Sequence, residues 1–422
     1  MAGFQSIPEG HVTLTNLTVP GCLVGSDKDL VQTDISLKDG QITDAPGTPI
    51  DMKRAMAFPC FVDMHTHLDK GHIWPRAANP DGSFMGALTT VGADRSANWT
   101  AADVAARMDF SLRAAYAHGT SAIRTHIDSL PPQDAISWPV FAEIRDAWRD
   151  RITLQGSSLV GCDSFESIAR DYAATADIVA EYGGILGMVT YPVPDVETRV
   201  REFFDLAAAR DLEADFHVDE TMDPSAETLR TIAEVALDIG WDRPVTVGHC
   251  CSLSTQDETR ALDTLDIVAK AGFNVVSLPL CNLYLQDRAA ARTPRMRGVT
   301  LVHEMKARGI TVSFASDNTR DPFYAYGDLD MIEVMRQATR IAHLDHSDAD
   351  WTRAFTTNPA RACAFDAPAL NPGAPADLVI CKAREWTELF ARPQSDRIVL
   401  RAGRVIDTTL PDYSELDALM EV

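Results

Sequence analysis

The sequence predicts an α/β fold, a (β/α)8 TIM barrel carrying a small β-sandwich made from both ends of the chain, on three observations. Eight short apolar, β-rich runs alternate with longer segments of helical period. Alternating polar and apolar stretches recur near both termini. A length of 422 residues suits a barrel of roughly 250 residues or more with an accessory domain.

The elements follow in chain order. HVTLTNLTV and DISLKDGQIT, within residues 10–57, read as strands, with turns at Asp39-Gly40 and Pro46-Gly47 that suit β-hairpins. Barrel strands are expected near 58–65, 121–127, 152–159, 184–190, 213–218, 244–249, 273–278 and 309–316. Eight is the number that closes such a barrel. Between them, AADVAARMDFSLRAAYAH starts after Thr100, a capping residue, with Asp103 three residues on. SAETLRTIAEVALDIG and TRALDTLDIVAKAG each stop at a glycine placed for a C-cap. ADLVICKA at 376–383 and DRIVLRAGRVID at 396–407, turning at Ala402-Gly403, return to the β pattern. The expected division is a sandwich domain of 1–57 with 369–422 and a metal-dependent catalytic barrel of 58–368. No GxGxxG or GxxxxGK[ST] loop follows any strand, which argues against a nucleotide-binding open sheet.

Composition excludes several classes of partner. The apolar fraction of 45% with 23% charged residues is ordinary for a globular chain. With 38 basic and 61 acidic side chains the net charge is −23, scattered along the chain, and such a surface repels phosphate backbones and anionic lipid heads. Neither nucleic acid nor a membrane is expected as a partner. No uninterrupted apolar stretch reaches about 18 residues, and MAGFQSIPEGHVTL lacks the basic-then-apolar pattern of a leader. The eight cysteines include no CxxC pair and read as buried reduced thiols, so a cytoplasmic location is expected.

Chemistry in this fold sits at the C-terminal ends of the strands. The first barrel strand ends in His65-Thr66-His67, and the two-residue period of a strand points both imidazoles the same way. The fifth ends at His217 with Glu220 three residues on, the sixth at His249, and the eighth at Ser316-Asp317-Asn318. Any one of these histidines alone is an ordinary hydrogen-bonded core residue. Five such groups gathered at strand ends describe a metal centre. Two histidines from one strand, a third from another and a carboxylate form a nitrogen and oxygen ligand set suited to Zn²⁺ or Fe²⁺. A divalent ion lowers the pKa of water from about 15.7 towards 7, and hydroxide then attacks an electrophilic ring carbon. The departing amine needs a proton from a group that is not a ligand, and Glu220 fits that task.

FPCFVDMHTHLDKG, FHVDE, TVGHC, SLPLCNLYLQDR and FASDNTRDPF resemble the cytosine deaminase branch of the amidohydrolase superfamily and its near relative, the isopropylammelide amidohydrolase. The resemblance extends over nearly the whole chain, including the terminal ADLVI and VLRAGRVI. It implies a single divalent ion, Zn or Fe, held by His65, His67, His217 and Asp317. It further implies Glu220 as proton shuttle, His249 polarising or orienting hydroxide or substrate without binding the metal, and Asp317 sharing the proton work. Homo-oligomers are frequent in such a family. Binuclear members bridge their metals through a carboxylated lysine from a middle strand, and no lysine lies between Lys70 and Lys270.

Two departures bear on the substrate. Cytosine deaminases carry a glutamine where Gly161 stands here, and a second Asp where Asn318 stands. An amide donates as well as accepts, so the preferred ring should differ from cytosine. Leu68, Asp69 and Lys70 follow the His pair and are candidate pocket residues. Asn282 and Gln286 resemble a substrate loop, Asn318 faces the ring in the same resemblance, and Phe323 beside Asp321 and Pro322 is a candidate aromatic wall. His126, ending the second strand, is either a partner that orients a ligand or a structural hydrogen bonder. Cys162, Cys250 and Cys251 read as small buried hydrophobes.

The expected activity is therefore metal-dependent hydrolysis of a C–N bond, not a peptide bond, in a small nitrogen heterocycle. Its foremost form is hydrolytic deamination of a cytosine-like aminopyrimidine, an aminotriazine or a pterin, with release of ammonia. The alternatives are cleavage of an N-alkyl amine or cyclic amide by the same hydroxide, and a catalytically inactive metal-binding scaffold. The acid Glu220 beside His217 speaks against the scaffold.

Overall fold

A computed structural model describes residues 4–421. Sixteen strands are present among them. The first five are β1 (Val12–Pro20), β2 (Leu30–Lys38), β3 (Gln41–Thr43), β4 (Thr48–Asp51) and β5 (Met56–Pro59). Eight follow that are separated by helical segments: β6 (Phe61–Thr66), β7 (Thr120–Asp128), β8 (Thr153–Leu159), β9 (Leu186–Thr190), β10 (Ala214–Val218), β11 (Val245–His249), β12 (Asn274–Ser277) and β13 (Thr311–Phe314). The last three are β14 (Leu378–Cys381), β15 (Ile398–Arg401) and β16 (Arg404–Val405). Each of the eight expected barrel runs overlaps one of the strands β6–β13, with β6 and β7 extending a residue beyond the expected ends.

The chain divides into two compact units. One takes the chain up to Asp63 with Leu112–Ala122 and Leu329–Asp412; the other takes Met64–Ser111, Ile123–Asp328 and the chain from Tyr413 on.

In the first unit both ends of the chain share one eight-stranded sheet, ordered β16-β15-β14-β5-β1-β2-β3 with β4 beside β1. The antiparallel pairing of β14 with β5, Leu378 opposite Pro59, is the seam between the ends. Leu14, Leu17, Val19, Leu37, Leu378, Ile380 and Leu400 pool their side chains in one buried cluster. The β2–β3 hairpin turns at Asp39 (φ 51°) and Gly40 (φ 82°), the paired left-handed residues of a tight two-residue turn. The β15–β16 hairpin does the same at Ala402 and Gly403. Pro46-Gly47 does not close a hairpin. β4 leaves β3 and runs parallel to β1, Val12 opposite Thr48. Gly47 is needed for close approach instead, since a Cβ there would sit 2.5 Å from the His11 carbonyl oxygen.

In the second unit β9–β13 form a parallel sheet ordered β13-β12-β11-β10-β9, and β6-β7-β8 form another. Isolated parallel bridges join Ser157 to Ile185 and Gly161 to Val189, between the β8 and β9 segments, and Thr66 to Asp317, between the end of β6 and the loop after β13. Every residue of β10 and β11 is buried, as expected for strands covered on both faces. The connecting helices begin and end where their sequences direct. Thr100 Oγ1 accepts from the Asp103 amide at 3.3 Å ahead of the helix Ala101–His118. Gly272 (φ 71°) ends Glu258–Ala271 in the left-handed conformation. Among the described residues, no helix is long and apolar enough to cross a membrane.

Candidate active site

The end of β6 and the loop after β13 bring the first ligand candidates together. His65 and His67 lie two residues apart and face one way, and their Nε2 atoms are 3.5 and 3.2 Å from Asp317 Oδ1. Asp317 is fixed there by its own backbone. Its amide donates to the His65 carbonyl at 2.9 Å, and its left-handed φ of 66° turns the chain at the strand end. A non-glycine residue seldom holds that conformation unless its surroundings impose it. β10 supplies His217, whose Nε2 is 3.3 Å from His67 Nε2.

These separations suit one ion. Ligand atoms about 2.0–2.1 Å from a tetrahedrally bound Zn²⁺ lie about 3.4 Å from one another, which is the spacing found for the pairs His67–His217, His67–Asp317 and His65–Asp317. Among the described residues, His65 Nε2 has no hydrogen-bond partner although it is buried. Burial, and next the neighbouring imidazoles and Lys70, hold His65, His67 and His217 well below the usual histidine range. Neutral imidazole is the form that binds a metal. His65, His67 and Asp317, and separately His65, His126 and His217, meet the spacing of a metal-holding group. By donor chemistry and spacing, the residues fit a divalent cation.

Beside this cluster stands an acid. The Glu220 side chain is only 8% exposed, and burial, with the Asp317 carboxylate second, pushes its pKa well above the usual value. His249, at the end of β11 with φ 66°, places Nδ1 3.5 Å from Glu220 Oε1. Its pKa is lowered to about 3, chiefly by burial. Asn282, in the helix Pro279–Leu285, reaches both: Nδ2 is 3.2 Å from Glu220 Oε1 and 3.0 Å from His249 Nδ1. Gln286 Nε2 donates to the Glu220 carbonyl at 3.2 Å. Asn282 and Gln286 thus both hold the acid, one by its side chain and one by its backbone.

The residues after the His pair are packed tightly. Leu68 is buried, and its amide donates to Thr125 Oγ1 at 3.0 Å. Asp69 Oδ2 accepts from the Asp128 amide at 2.7 Å, tying the end of β6 to that of β7. Lys70 is 4% exposed, lies 3.9 Å from Asp128 Oδ2 and sits 5.2 Å from the centre of the Phe323 ring. Burial pulls its pKa down, but Asp128, Asp69, Asp321 and Asp317 outweigh that and hold it above the usual lysine value. Phe323 also meets Phe84 edge to face, with ring centres 5.5 Å apart. Asn318 Nδ2 donates to Asp321 Oδ2 at 2.7 Å, and Asp321 Oδ1 accepts from the amides of Phe323 and Tyr324, so the loop after β13 is braced from within.

His126, read from the sequence as a ligand-orienting partner or a structural hydrogen bonder, stands inside the imidazole cluster, its ring centre 4.1 Å from that of His65 and 4.5 Å from that of His217. One contributor was obscure in the sequence. Arg107, fully buried in the helix Ala101–His118, donates to the carbonyls of Asp69 and Gly71 and to Asp103. Its only trace in the sequence is the four-residue spacing from Asp103. Gly161 packs under Tyr191, and a Cβ there would lie 2.9 Å from its hydroxyl, so a larger residue requires Tyr191 to move. Cys250 and Cys251 are buried thiols whose pKa values burial pushes up; the Cys162 thiol is buried too and is pushed up to about 11 by the same cause.

Residues 167–407, more than half the chain, match the Amidohydrolase family. The chain belongs to that family. This amidohydrolase is 53% identical to the pterin deaminase of Rhizobium rhizogenes (strain K84) over 99% of each chain. It is 22% identical to the N-isopropylammelide isopropyl amidohydrolase of Pseudomonas sp. (strain ADP), over 85% of this chain and 87% of the relative. Among solved structures, 5-methylcytosine deaminase from Klebsiella pneumoniae liganded with 5-fluorocytosine superposes with a TM-score of 0.78 at 24% identity, covering 95% of this chain and 98% of that one. The family expected from the strand-end motifs is thus the family found, and the α/β fold with parallel sheets agrees with it.

Proposed function

We propose that this amidohydrolase is a metal-dependent deaminase that hydrolyses the exocyclic C–NH₂ bond of a pterin, giving the ring carbonyl and ammonia. Metal-dependent hydrolytic deamination of a heterocycle follows from the family together with near-complete coverage of a pterin deaminase at 53% identity. Glu220 carries the chemistry: a buried carboxyl with a raised pKa, next to the ligand cluster and held by Asn282. The long match to the pterin deaminase favours pterin among the rings, and Gly161 and Asn318 in place of the cytosine-reading pair agree with a ring other than cytosine.

His65, His67, His217 and Asp317 would hold one divalent ion, Zn or Fe. Such an ion supplies Lewis acidity that brings the ionisation of water towards neutral pH. Glu220 takes a proton from the attacking water and passes it to the departing nitrogen, which leaves as ammonia. Asp317 shares in that proton work, and His249 donates from Nε2 to the oxygen that becomes the product carbonyl. Lys70, Leu68, Asp69 and Phe323 line the ring site, Lys70 offering N–H donors to ring acceptors and Phe323 an aromatic face. Asn318, through its bond to Asp321, keeps the Phe323 loop against the ring. Asn282 and Gln286 serve the same site by holding Glu220.

The same reading takes β6–β13 as a closed (β/α)8 barrel, supported by the bridges that link β8 to β9 and β6 to the β13 loop. Residues 58–368 then form the catalytic domain, and 1–57 with 369–422 a small sandwich around the shared apolar cluster. Seven buried free cysteines fit a reducing compartment, the cytoplasm.

The test is ammonia release from a panel of pterins, aminopyrimidines, aminotriazines and N-alkylated relatives, with enzyme loaded separately with Zn²⁺ and Fe²⁺. Release from pterins that disappears in Glu220→Gln is the expected result. An alkylamine or a ring-opened product in place of ammonia overturns deamination.

A further inference from the structure

We infer that Asn282 is a positioning residue that fixes the His249 tautomer, making His249 a hydrogen-bond donor towards the reacting oxygen. The inference rests on the deaminase reading, which gives His249 and Glu220 their tasks. An Asn amide nitrogen carries two protons. Asn282 Nδ2 meets Glu220 Oε1 at 3.2 Å and His249 Nδ1 at 3.0 Å, so both protons have acceptors.

An imidazole whose Nδ1 accepts carries its proton on Nε2. His249 Nε2 is buried and, among the described residues, has no hydrogen-bond partner. Its N–H is therefore unspent within the protein and left for whatever occupies the site. One amide thus sets two groups at once: it keeps His249 a donor and holds the Glu220 oxygen in place. Both of its N–H groups are thus engaged within the protein, while its Oδ1 is buried and, among the described residues, has no hydrogen-bond partner.

The experiment uses Asn282→Asp and Asn282→Ala in the Zn²⁺-loaded enzyme, with tautomers read from isotope-edited NMR of labelled histidine and His249 assigned through His249→Asn. Asp is isosteric with Asn and accepts instead of donating, so Asn282→Asp should move the His249 proton from Nε2 to Nδ1. Losing one preorganised donor should lower kcat by about 10²–10³-fold, with KM within about 3-fold of wild type and zinc content unchanged. Asn282→Ala, which releases Nδ1, should give a mixed tautomer and a smaller loss. A His249 that stays Nε2-protonated in both variants, or a pure rise in KM, overturns the inference. If no ring yields ammonia, the deaminase reading fails, while the NMR result still decides the tautomer.

Discussion

His126 Nε2 lies 3.1 Å from His65 Nδ1, with both rings fully buried, so one ligand candidate is oriented by another imidazole instead of a carboxylate. If His65 binds metal through Nε2, its Nδ1 carries the proton and donates to His126. Partners of this type are commonly worth 10–100-fold in metal affinity. His126→Ala should therefore weaken Zn²⁺ binding by about that factor, measured by chelator competition on protein stripped and reloaded. His126→Gln, whose amide oxygen can still accept, should recover part of the loss. Unchanged affinity in both variants would assign His126 to packing alone.

Lys70 sits among Asp69, Asp128 and Asp321 against the Phe323 ring, and no side-chain hydrogen bond uses its ammonium among the described residues. A buried cation with unspent donors is suited to a ring acceptor such as a carbonyl oxygen. Hydrogen bonds to charged groups are worth about 1.5–3 kcal/mol, so Lys70→Met should raise KM for an oxo-bearing pterin by roughly 10-fold or more. A 2,4-diaminopteridine, which presents an amino group where pterin has its carbonyl, should be far less affected. An equal loss on both rings would place Lys70 outside ring recognition.

The strands were legible because short runs rich in β-branched and apolar residues recur between helical segments, as in VTVGH of β11, all of whose residues are buried. The His65–His67 pair was legible for a related reason, since a two-residue period fixes which way both rings point. Contacts between distant segments left weaker marks. Asn282 meets residues 33 and 62 positions away, and nothing local tells that its amide faces Glu220 and His249. His126 looks like any strand-end histidine until the cluster is assembled. Pro46-Gly47 carries the residues of a turn, but the glycine serves the close passage of β4 past His11, a tertiary demand that overrides local turn chemistry.

Asn318 tests how firmly the loop after β13 depends on an amide. Its Nδ2 donates to Asp321 Oδ2 at 2.7 Å, and burial already raises Asp321 to about 6. Asn318→Asp would set two carboxylates in contact, so one must keep its proton or the loop must open. We expect a loss of about 1–3 kcal/mol at neutral pH, read by denaturant unfolding, together with weaker metal binding through the adjacent Asp317. Losing the Asn318 donor and gaining a neighbouring carboxylate raises the folded-state carboxyl further, so the variant should approach wild type at low pH and fall increasingly below it as pH rises beyond the value of about 6 of wild-type Asp321. A stability difference that is flat across pH 4–8 would remove the carboxylate contact as its cause.

Asp330 gives the opposite sign, and in the first unit. Arg397 grips both its oxygens at 2.6 Å, and Asp330 Oδ1 also accepts from the Ile332 amide at the start of the helix Met331–Ala342. Burial alone would raise the Asp330 pKa, but Arg397, with lesser help from His118, outweighs it and brings it down to about 2. A depressed carboxylate stabilises the fold above its unfolded pKa near 4, and that contribution fades as pH falls towards 2. Asp330→Ala leaves a buried guanidinium without its partner, a change that costs about 3–5 kcal/mol. The loss should be full at pH 7 and shrink below pH 4, where Asp330 of the unfolded chain takes up a proton while the folded carboxylate stays ionised down to about 2. Urea unfolding of both proteins between pH 3 and 8 measures that difference directly. A gap that widened on acidification would show that Arg397 is not what holds the carboxylate ionised.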